Sequence, residues 1–177
     1  VVGAVGDEMD EKWELKGLAR EVLEKGRKLG MLEIKRGIRL YGRNRPVHKA
    51  LELSFDPFIP DVSGSESGSV QLLAELGIKI KEGEKWRRLK DLTEEEQRKL
   101  ASAIIFERLR FSPEKAEDIF GEIYILKDFD FEFNEAREFA TVLNSCGRLG
   151  EWWVGVELCL KVREAFEKAL EKLSEYR

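Results

Sequence analysis

An aspartate close to the start of the chain stands where a carboxylate could bind a ligand. Asp7 follows an apolar run, residues 1–6, and residues 1–10 predict a buried strand that ends in an acidic turn. In open α/β sheets, ligands bind beyond the carboxyl ends of the strands. The other interpretation is that Asp7 caps the helix that follows. The residues by themselves favour the cap.

A cluster of basic residues forms a second candidate site. Alternating apolar and charged residues over 31–41, with Arg36-Gly37 in the middle, predict a β-hairpin. This hairpin is either an ordinary solvated surface or a strip that contacts nucleic-acid phosphates, with Arg36, Arg39 and Arg43 as candidate contacts. The basic residues of the strip are Arg27, Lys28, Lys35, Arg36, Arg39, Arg43 and Arg45.

The next segment holds the single histidine and a loop rich in Pro, Gly and Ser. His48 lies on a short apolar helix predicted over residues 46–53, where a lone histidine usually packs or caps. The loop, residues 54–68, precedes a helix, so its backbone N–H groups could bind a phosphate. It lacks the lysine of a Walker motif, and a loop that caps the helix is the favoured interpretation.

Two helices are predicted over residues 93–110 and 113–120. The first begins with a capping box of Thr93 and Glu96, and Ser112-Pro113 starts the second. The second helix is acidic and would repel phosphates, which argues against a DNA-reading helix-turn-helix. Apolar residues wrap most of the first helix, so they are either all core or partly a face for a protein partner. The candidates for that face are Phe106, Leu109, Phe111 and Glu117.

The last part of the chain alternates and then becomes helical. Residues 123–133 predict an alternating strand, followed by a helix that breaks at residues 144–148 in a turn carrying Arg148. Trp152-Trp153 is expected to pack in the core or between domains. An amphipathic helix is predicted over residues 157–176.

The composition is that of a globular chain. With 177 residues, of which 37% are charged and 42% hydrophobic, it can bury a core. The net charge of −4 argues against a generally basic nucleic-acid coat. Two cysteines without metal-ligand spacing, and the lack of a membrane span or signal peptide, predict a reduced, cytoplasmic protein. The chain starts inside an apolar stretch and stops inside a charged helix, as expected of a segment of a longer protein.

Three stretches of the sequence resemble archaeal RecJ-like proteins of the DHH phosphoesterase superfamily, which include GINS-associated nucleases. They are VGAVGD at residues 2–7, SFDPFIP with SGSESG and the following helix at residues 54–77, and AREFATVLNSCGRLG at residues 136–150. The paired histidines that name the family are absent, and the resemblance implies that they lie before Val1. After Leu160 the chain departs from the family's Gly-Asp, and the family's glycine- and histidine-rich phosphate motif is missing.

The resemblance implies an α+β fold in three parts. Residues 1–43 would contribute the edge strand and helix of a DHH α/β domain. Residues 44–121 would be a mostly helical inserted domain. Residues 122–177 would be the entry to a C-terminal domain that holds single-stranded nucleic acid.

The resemblance also implies a chemistry for the longer protein. In this family two Mn²⁺ or Mg²⁺ ions catalyse phosphodiester hydrolysis. Asp7 would be one metal ligand, with Asp10 as the second choice, and Arg148 would lie near the substrate. The inserted domain would face a GINS subunit. Because one carboxylate cannot hold two metals, no complete catalytic site and no cofactor are expected in this segment.

Three functions are therefore open for the chain. It is a segment of a single-strand exonuclease whose inserted domain docks the C-terminal domain of a GINS subunit, a nucleic-acid contact module, or part of a catalytically inactive replication scaffold. Exposure of Phe106, Leu109 or Phe111 would support docking. Binding that weakens steeply with salt would support the nucleic-acid contact.

Overall fold

The computed structural model describes residues 1–127, 129 and 133–176. Phe131, predicted in an alternating strand, lies outside these residues, as does Arg177. Within the described ranges the chain forms eight α-helices and three two-stranded sheets, so the predicted α+β, mostly helical fold class is confirmed.

The chain divides into two compact units. The terminal unit comprises residues 1–35 and 123–177, and the central unit comprises residues 36–122. The crossings between them fall within strands β3 (Leu32–Ile38) and β6 (Phe120–Leu126), which pair with each other. The two end segments of the chain together form the terminal unit.

The terminal unit is mainly helical and has two clusters of buried side chains. One cluster is built around Phe139, Val142 and Leu158, and the other around Leu15, Leu23 and Tyr124. Besides its parts of β3 and β6, its elements are α1 (Val2–Gly6), β1 (Asp10–Glu11), β2 (Glu14–Leu15), α2 (Gly17–Lys28), α6 (Ala136–Arg148), α7 (Trp152–Cys159) and α8 (Arg163–Tyr176).

The predicted first strand is wrong, because residues 2–6 form the short helix α1. A short apolar run can be either a buried strand or a buried helix segment, and packing decides between them. Here α1 packs closely on α6: a Cβ atom at Gly6 would lie 3.3 Å from the Cβ atom of Ala140. The small residue at position 6 is what permits this approach.

The predicted helix break at residues 144–148 is also wrong. Helix α6 continues through Arg148, with Ser145 and Cys146 buried on its inner face, and the chain turns at Gly150 with a positive φ of 78°. The predicted final helix is instead two helices, α7 and α8, separated at Lys161, which has a φ of 62°. Trp152 and Trp153 are exposed, so they are not core residues of this unit.

The central unit has one core cluster, which includes Val47, Leu51, Leu73, Leu100 and Ile104. Besides its parts of β3 and β6, its elements are α3 (Val47–Glu52), α4 (Glu66–Glu75), β4 (Lys81–Glu82), β5 (Lys85–Trp86) and α5 (Glu94–Leu109). Single 3₁₀ turns form at Leu89–Asp91 and Pro113–Lys115.

The predicted hairpin over residues 31–41 is wrong. The stretch is one strand, β3, in which Arg36 and Gly37 are interior residues, and its partner β6 lies far along the chain. Alternation predicts a strand correctly, but it does not identify the partner, because the period of two is the same for near and distant pairings.

The capping box at the start of α5 is confirmed. The amide of Glu96 donates to Oγ1 of Thr93 at 3.2 Å, and the amide of Thr93 donates to Oε2 of Glu96 at 2.8 Å. The second predicted helix, residues 113–120, is wrong: only the 3₁₀ turn forms, and Ser112 makes no side-chain capping bond. A helix-turn-helix is therefore absent from this described stretch.

Candidate functional site

Asp7, the predicted metal ligand, is the exposed residue that follows helix α1. Its amide donates to the carbonyl of Gly3 at 3.0 Å, and its carboxylate lies at the carboxyl end of a helix instead of a strand. Within the described ranges, no three His, Cys, Asp or Glu side chains come together in a group that could hold a metal ion. Asp7 would therefore need ligands from other parts of a longer protein.

Asp10, the second choice as a metal ligand, is buried in the terminal unit. Its carboxylate forms an ion pair with Arg137, whose guanidinium lies 4.5 Å from the centre of the Trp13 ring. The ion pair of Asp10 and Arg137 lies within the terminal unit and links the turn before β2 to helix α6. This pairing accounts for the burial of Asp10 without a metal.

Glu135 is a buried carboxyl group that the sequence did not single out. It caps helix α6 by accepting from the amides of Arg137 at 3.0 Å and Glu138 at 3.1 Å. Burial raises its pKa from 4.5 to about 7, and the nearby carboxylate of Glu138 also raises it. The only sequence signal was an acidic residue directly before a helix, which is common on surfaces.

Replacing Glu135 with Gln is expected to change how the stability of the terminal unit depends on pH. The folded protein keeps the proton up to about pH 7, whereas the unfolded chain releases it near 4.5, so rising pH favours unfolding in this window. The free energy of unfolding of Glu135→Gln should therefore gain on the order of 3 kcal/mol over wild type between pH 4.5 and 8. Urea unfolding of both proteins across this range measures the difference, with Glu164→Gln on the exposed face of α8 as control. A constant difference for Glu135→Gln would contradict the raised pKa.

The predicted partner face lies at the carboxyl end of α5 in the central unit. Leu100, Ala101 and Ile104 turn into the core, while Phe106 and Phe111 are each 64% exposed and Leu109 is 47% exposed. The interpretation that all of these apolar residues are core is therefore wrong. We call Phe106, Leu109 and Phe111 the apolar face; Glu117, the fourth candidate, is exposed beyond the 3₁₀ turn at residues 113–115.

Arg108 holds the surroundings of the apolar face in place. Its guanidinium donates to the carbonyl of Phe58 at 2.5 Å and to that of Lys115 at 2.9 Å. The end of α5 is thereby tied to the loop before α4 and to the 3₁₀ turn. Phe58 is itself exposed, so the same support presents a further aromatic side chain.

A groove of about 750 Å³ runs along α5 within the central unit. Ile105, on its wall, is one helical turn before Leu109, so the groove leads towards the apolar face. Its lining mixes apolar and charged residues: Arg36, Gly37, Ile38, Glu94, Gln97, Arg98, Ala101, Ser102, Ile105 and Phe120.

The structure separates the arginines that were predicted to contact nucleic acid. Arg39 is only 4% exposed and binds Asp56 at 2.5 Å and Asp118 at 3.3 Å, which argues against a contact with nucleic acid. Arg36 is exposed beside the groove, and Arg43 is half-buried, with its carbonyl accepting from the amide of Lys90 at 3.1 Å. Arg148 is exposed at the end of α6 in the terminal unit.

Arg39→Ala is expected to lower the free energy of unfolding of the central unit by about 2 kcal/mol. Charge-assisted hydrogen bonds of this kind are worth roughly 1.5–3 kcal/mol, and Asp56, which is 77% exposed, can rehydrate after the substitution. The exposed Arg36→Ala should change stability by less than about 0.5 kcal/mol. Denaturant unfolding compares the two, and equal effects would show that the buried arginine has no structural role.

His48 is packed, as predicted. It is 3% exposed, its ring centre lies 4.7 Å from that of Trp86, and burial lowers its pKa. The loop before α4 also behaves as the favoured interpretation predicted, since Oγ of Ser65 accepts from the amide of Gly68 at 3.0 Å. Glu66 occupies the first turn of that helix and pairs with Lys49, so an acidic side chain stands where a phosphate would bind.

A basic hairpin is the feature that sequence reasoning missed. Strands β4 and β5 pair Lys81 with Trp86 and Glu82 with Lys85, and both strands are exposed. The signal was present as KIKEGEKWRRLK over residues 79–90, where six basic residues surround a tryptophan.

Most of the central unit is similar to a known family of protein domains. Residues 40–119 match the DHH-CID domain. The match supports a relation of the chain to the DHH superfamily, and it contains both the basic hairpin and the apolar face.

One curated protein is similar along the whole chain. It is the uncharacterized protein MJ0831 of the archaeon Methanocaldococcus jannaschii, which is 27% identical over 177 residues. The alignment covers 100% of this chain and 37% of that protein, so the chain spans little more than a third of the relative's length. In the described residues, no helix is long and apolar enough to cross a membrane.

Proposed function

We propose that the chain is a segment of a metal-dependent, single-strand exonuclease of the DHH superfamily that works with the archaeal replisome. In this proposal the central unit is the inserted domain, and it docks the C-terminal domain of a GINS subunit. The observation that carries the docking is the apolar face at the end of α5. The match of residues 40–119 to the DHH-CID domain supports the place of the unit in such a protein.

The apolar face has the chemistry of a protein interface. Phenylalanine is enriched at the centres of interfaces, and burying one such side chain contributes about 1.5–3 kcal/mol. The support by Arg108 means that little ordering is needed on binding, which lowers the entropic cost. The groove beside Ile105 offers room for a side chain or short segment of the partner.

The catalytic part of the proposal requires the longer protein. Two divalent ions, Mn²⁺ or Mg²⁺, would polarise the phosphodiester and activate water there, and Asp7 would be one of their ligands. Since this segment offers Asp7 alone, the purified 177-residue chain should not cleave single-stranded DNA or RNA with Mn²⁺ present. Manganese-dependent cleavage by this chain would overturn the assignment of the catalytic site to the longer protein.

Calorimetric titration of the chain with the C-terminal domain of a GINS subunit tests the docking. We expect a dissociation constant in the micromolar range or tighter, with weak dependence on salt because the face is apolar. No heat of binding, together with no change in the chain's NMR spectrum, would contradict the docking proposal.

A further inference from the structure

The hairpin of β4 and β5 and its flanking residues concentrate positive charge on a unit whose formal net charge is zero. Residues 79–90 contain six Lys and Arg residues and two Glu residues, whereas residues 36–122 contain 16 basic and 16 acidic residues. A local excess of this kind attracts polyanions even though the whole chain carries a charge of −4.

A second segment adds cations beside the hairpin. The amides of Leu89 and Lys90 donate to the carbonyls of Arg45 at 3.3 Å and Arg43 at 3.1 Å, so the two segments run side by side. They border a hollow of about 750 Å³, whose wall also carries the carboxylates of Glu82, Glu84 and Asp91. The residues of that wall that could contact a polyanion are Lys85, Trp86, Arg88 and Lys90. We call these residues, together with Arg43 and Arg45, the basic hairpin surface.

The cations of this surface differ in how they are used. Arg87 donates to both carboxylate oxygens of Glu96 at 2.7 Å, so its charge is neutralised within the fold. Among the described residues no carboxylate forms an ion pair with Lys85 or Lys90. These amines therefore remain hydrated and can neutralise an external anion.

Trp86 provides an aromatic platform within the basic surface. Trp86 is 45% exposed, and its ring packs on the buried His48 at 4.7 Å between ring centres. The amine of Lys81 lies over the ring, 4.0 Å from its centre. A nucleobase that stacks on the indole would displace the amine of Lys81, which could then bind a phosphate of the same strand.

We propose that the basic hairpin surface binds single-stranded nucleic acid, with a base stacked on Trp86 and phosphates near Lys85, Arg88 and Lys90. Proteins bind single strands by this combination of stacking aromatics and a positively charged groove. A duplex would not expose a base face to the indole. Glu82 and Glu84 repel phosphates at the hairpin tip, where Lys85 pairs with Glu82 in the strand register and offsets this repulsion only in part. Most phosphate contacts therefore fall at the base of the hairpin, near Arg88 and Lys90.

This surface is distinct from the apolar face of the proposed docking function. Arg87 binds the first turn of α5 through Glu96, whereas Phe106 and Leu109 lie at the other end. A helix of 16 residues is about 24 Å long. The two functions can therefore fail separately: substitutions in one surface should leave binding at the other unchanged.

Fluorescence anisotropy with a labelled 20-nucleotide oligo-dT tests the proposal on the full 177-residue chain. We expect binding that weakens roughly tenfold or more between 50 and 200 mM salt, as for neutralisation of about three phosphates. Lys85→Glu combined with Lys90→Glu should weaken binding at least tenfold. The matched control is Lys25→Glu combined with Lys168→Glu, at exposed positions of α2 and α8. No binding by wild type, or equal loss in both double variants, would overturn the site.

The stacking step has its own readout. The indole N–H signal of Trp86, identified by its loss in Trp86→Phe, should shift when the oligonucleotide is added. Trp86→Phe should retain most of the affinity and Trp86→Ala should lose several-fold. Since Trp86 covers His48, thermal unfolding is used to check that each variant is folded. If Trp86→Ala is unfolded, the indole signal of wild type and the Lys85→Glu, Lys90→Glu double variant still test the proposed site. An unshifted indole signal, or equal competition by polyglutamate, would contradict a nucleic-acid site.

Discussion

Replacing Phe106 with glutamate is expected to weaken binding of the GINS subunit's C-terminal domain by about a hundredfold while the chain stays folded. Phe106 is 64% exposed, so the core does not depend on it. In the complex, the substitution removes an aromatic contact and places an unpaired charge in an apolar interface, which together cost about 3 kcal/mol. This free energy corresponds to roughly a hundredfold in the dissociation constant.

The titration needs a control that changes charge and apolar area equally. Leu18→Glu on α2 of the terminal unit provides it, because Leu18 is 75% exposed and far from α5 in sequence. Leu109→Glu should behave like Phe106→Glu, and Leu18→Glu should bind like wild type. If Phe106→Glu and Leu109→Glu both bind with wild-type affinity, the partner does not use the apolar face.

Gly68→Ala is expected to destabilise the central unit by at least about 3 kcal/mol. An added Cβ atom would lie 1.9 Å from the carbonyl oxygen of Asp61, which is backbone and cannot rotate away as a side chain would. Asp61 itself has a φ of 60°, so its turn has little freedom to shift. Overpacking against fixed backbone is among the mechanisms that produce large losses of stability.

Gly147→Ala is the matched control for this substitution. Gly147 lies within α6, and an added Cβ atom there meets nothing within 4 Å. Alanine in a helix interior is about 0.5–1 kcal/mol more favourable than glycine, so this variant should be as stable as wild type or slightly more stable. Hydrogen exchange locates the effect: protection should fall in α3 and α4 for Gly68→Ala. Wild-type protection there would contradict the close approach of α4 to residue 61.

The proposed docking and nucleic-acid surfaces both lie in the stretch that matches the DHH-CID domain. A domain that presents an apolar face at one end of α5 and a basic hairpin at the other could hold a protein partner and a single strand together. In the proposed exonuclease, this arrangement would guide the substrate strand while the enzyme stays attached to the replisome.

Local chemistry in the sequence determined several features without help from the fold. The capping box of Thr93 and Glu96, a loop that caps the helix after it, and a packed His48 were predicted and are present, with Ser65 as the capping residue of the loop. The two caps depend on residues within a few positions of each other, so their side-chain chemistry is sufficient to specify them. The packing of His48 also needs Trp86, which lies far along the chain.

Features that depend on distant partners were decided by the tertiary structure. Residues 2–6 became a helix because α6 offers a close-packed neighbour, and β3 paired with β6 instead of turning back on itself. Arg39, predicted to contact nucleic acid, is buried because it forms ion pairs with Asp56 and Asp118, which the fold brings to it. The sequence patterns of these segments, their alternation and charge, do not depend on which element they pack against, so they could not predict these contacts.

The candidate sites show the same division. The sequence by itself determined which side chains are apolar, basic or acidic, and it placed Phe106, Leu109 and Phe111 on or next to one helix. Only the tertiary structure decided that these three remain exposed while Ile104 is buried, because burial depends on which face of α5 meets the core of the central unit. It likewise brought Arg43 beside Lys90, since backbone hydrogen bonds between segments more than 40 residues apart leave no local pattern in the sequence.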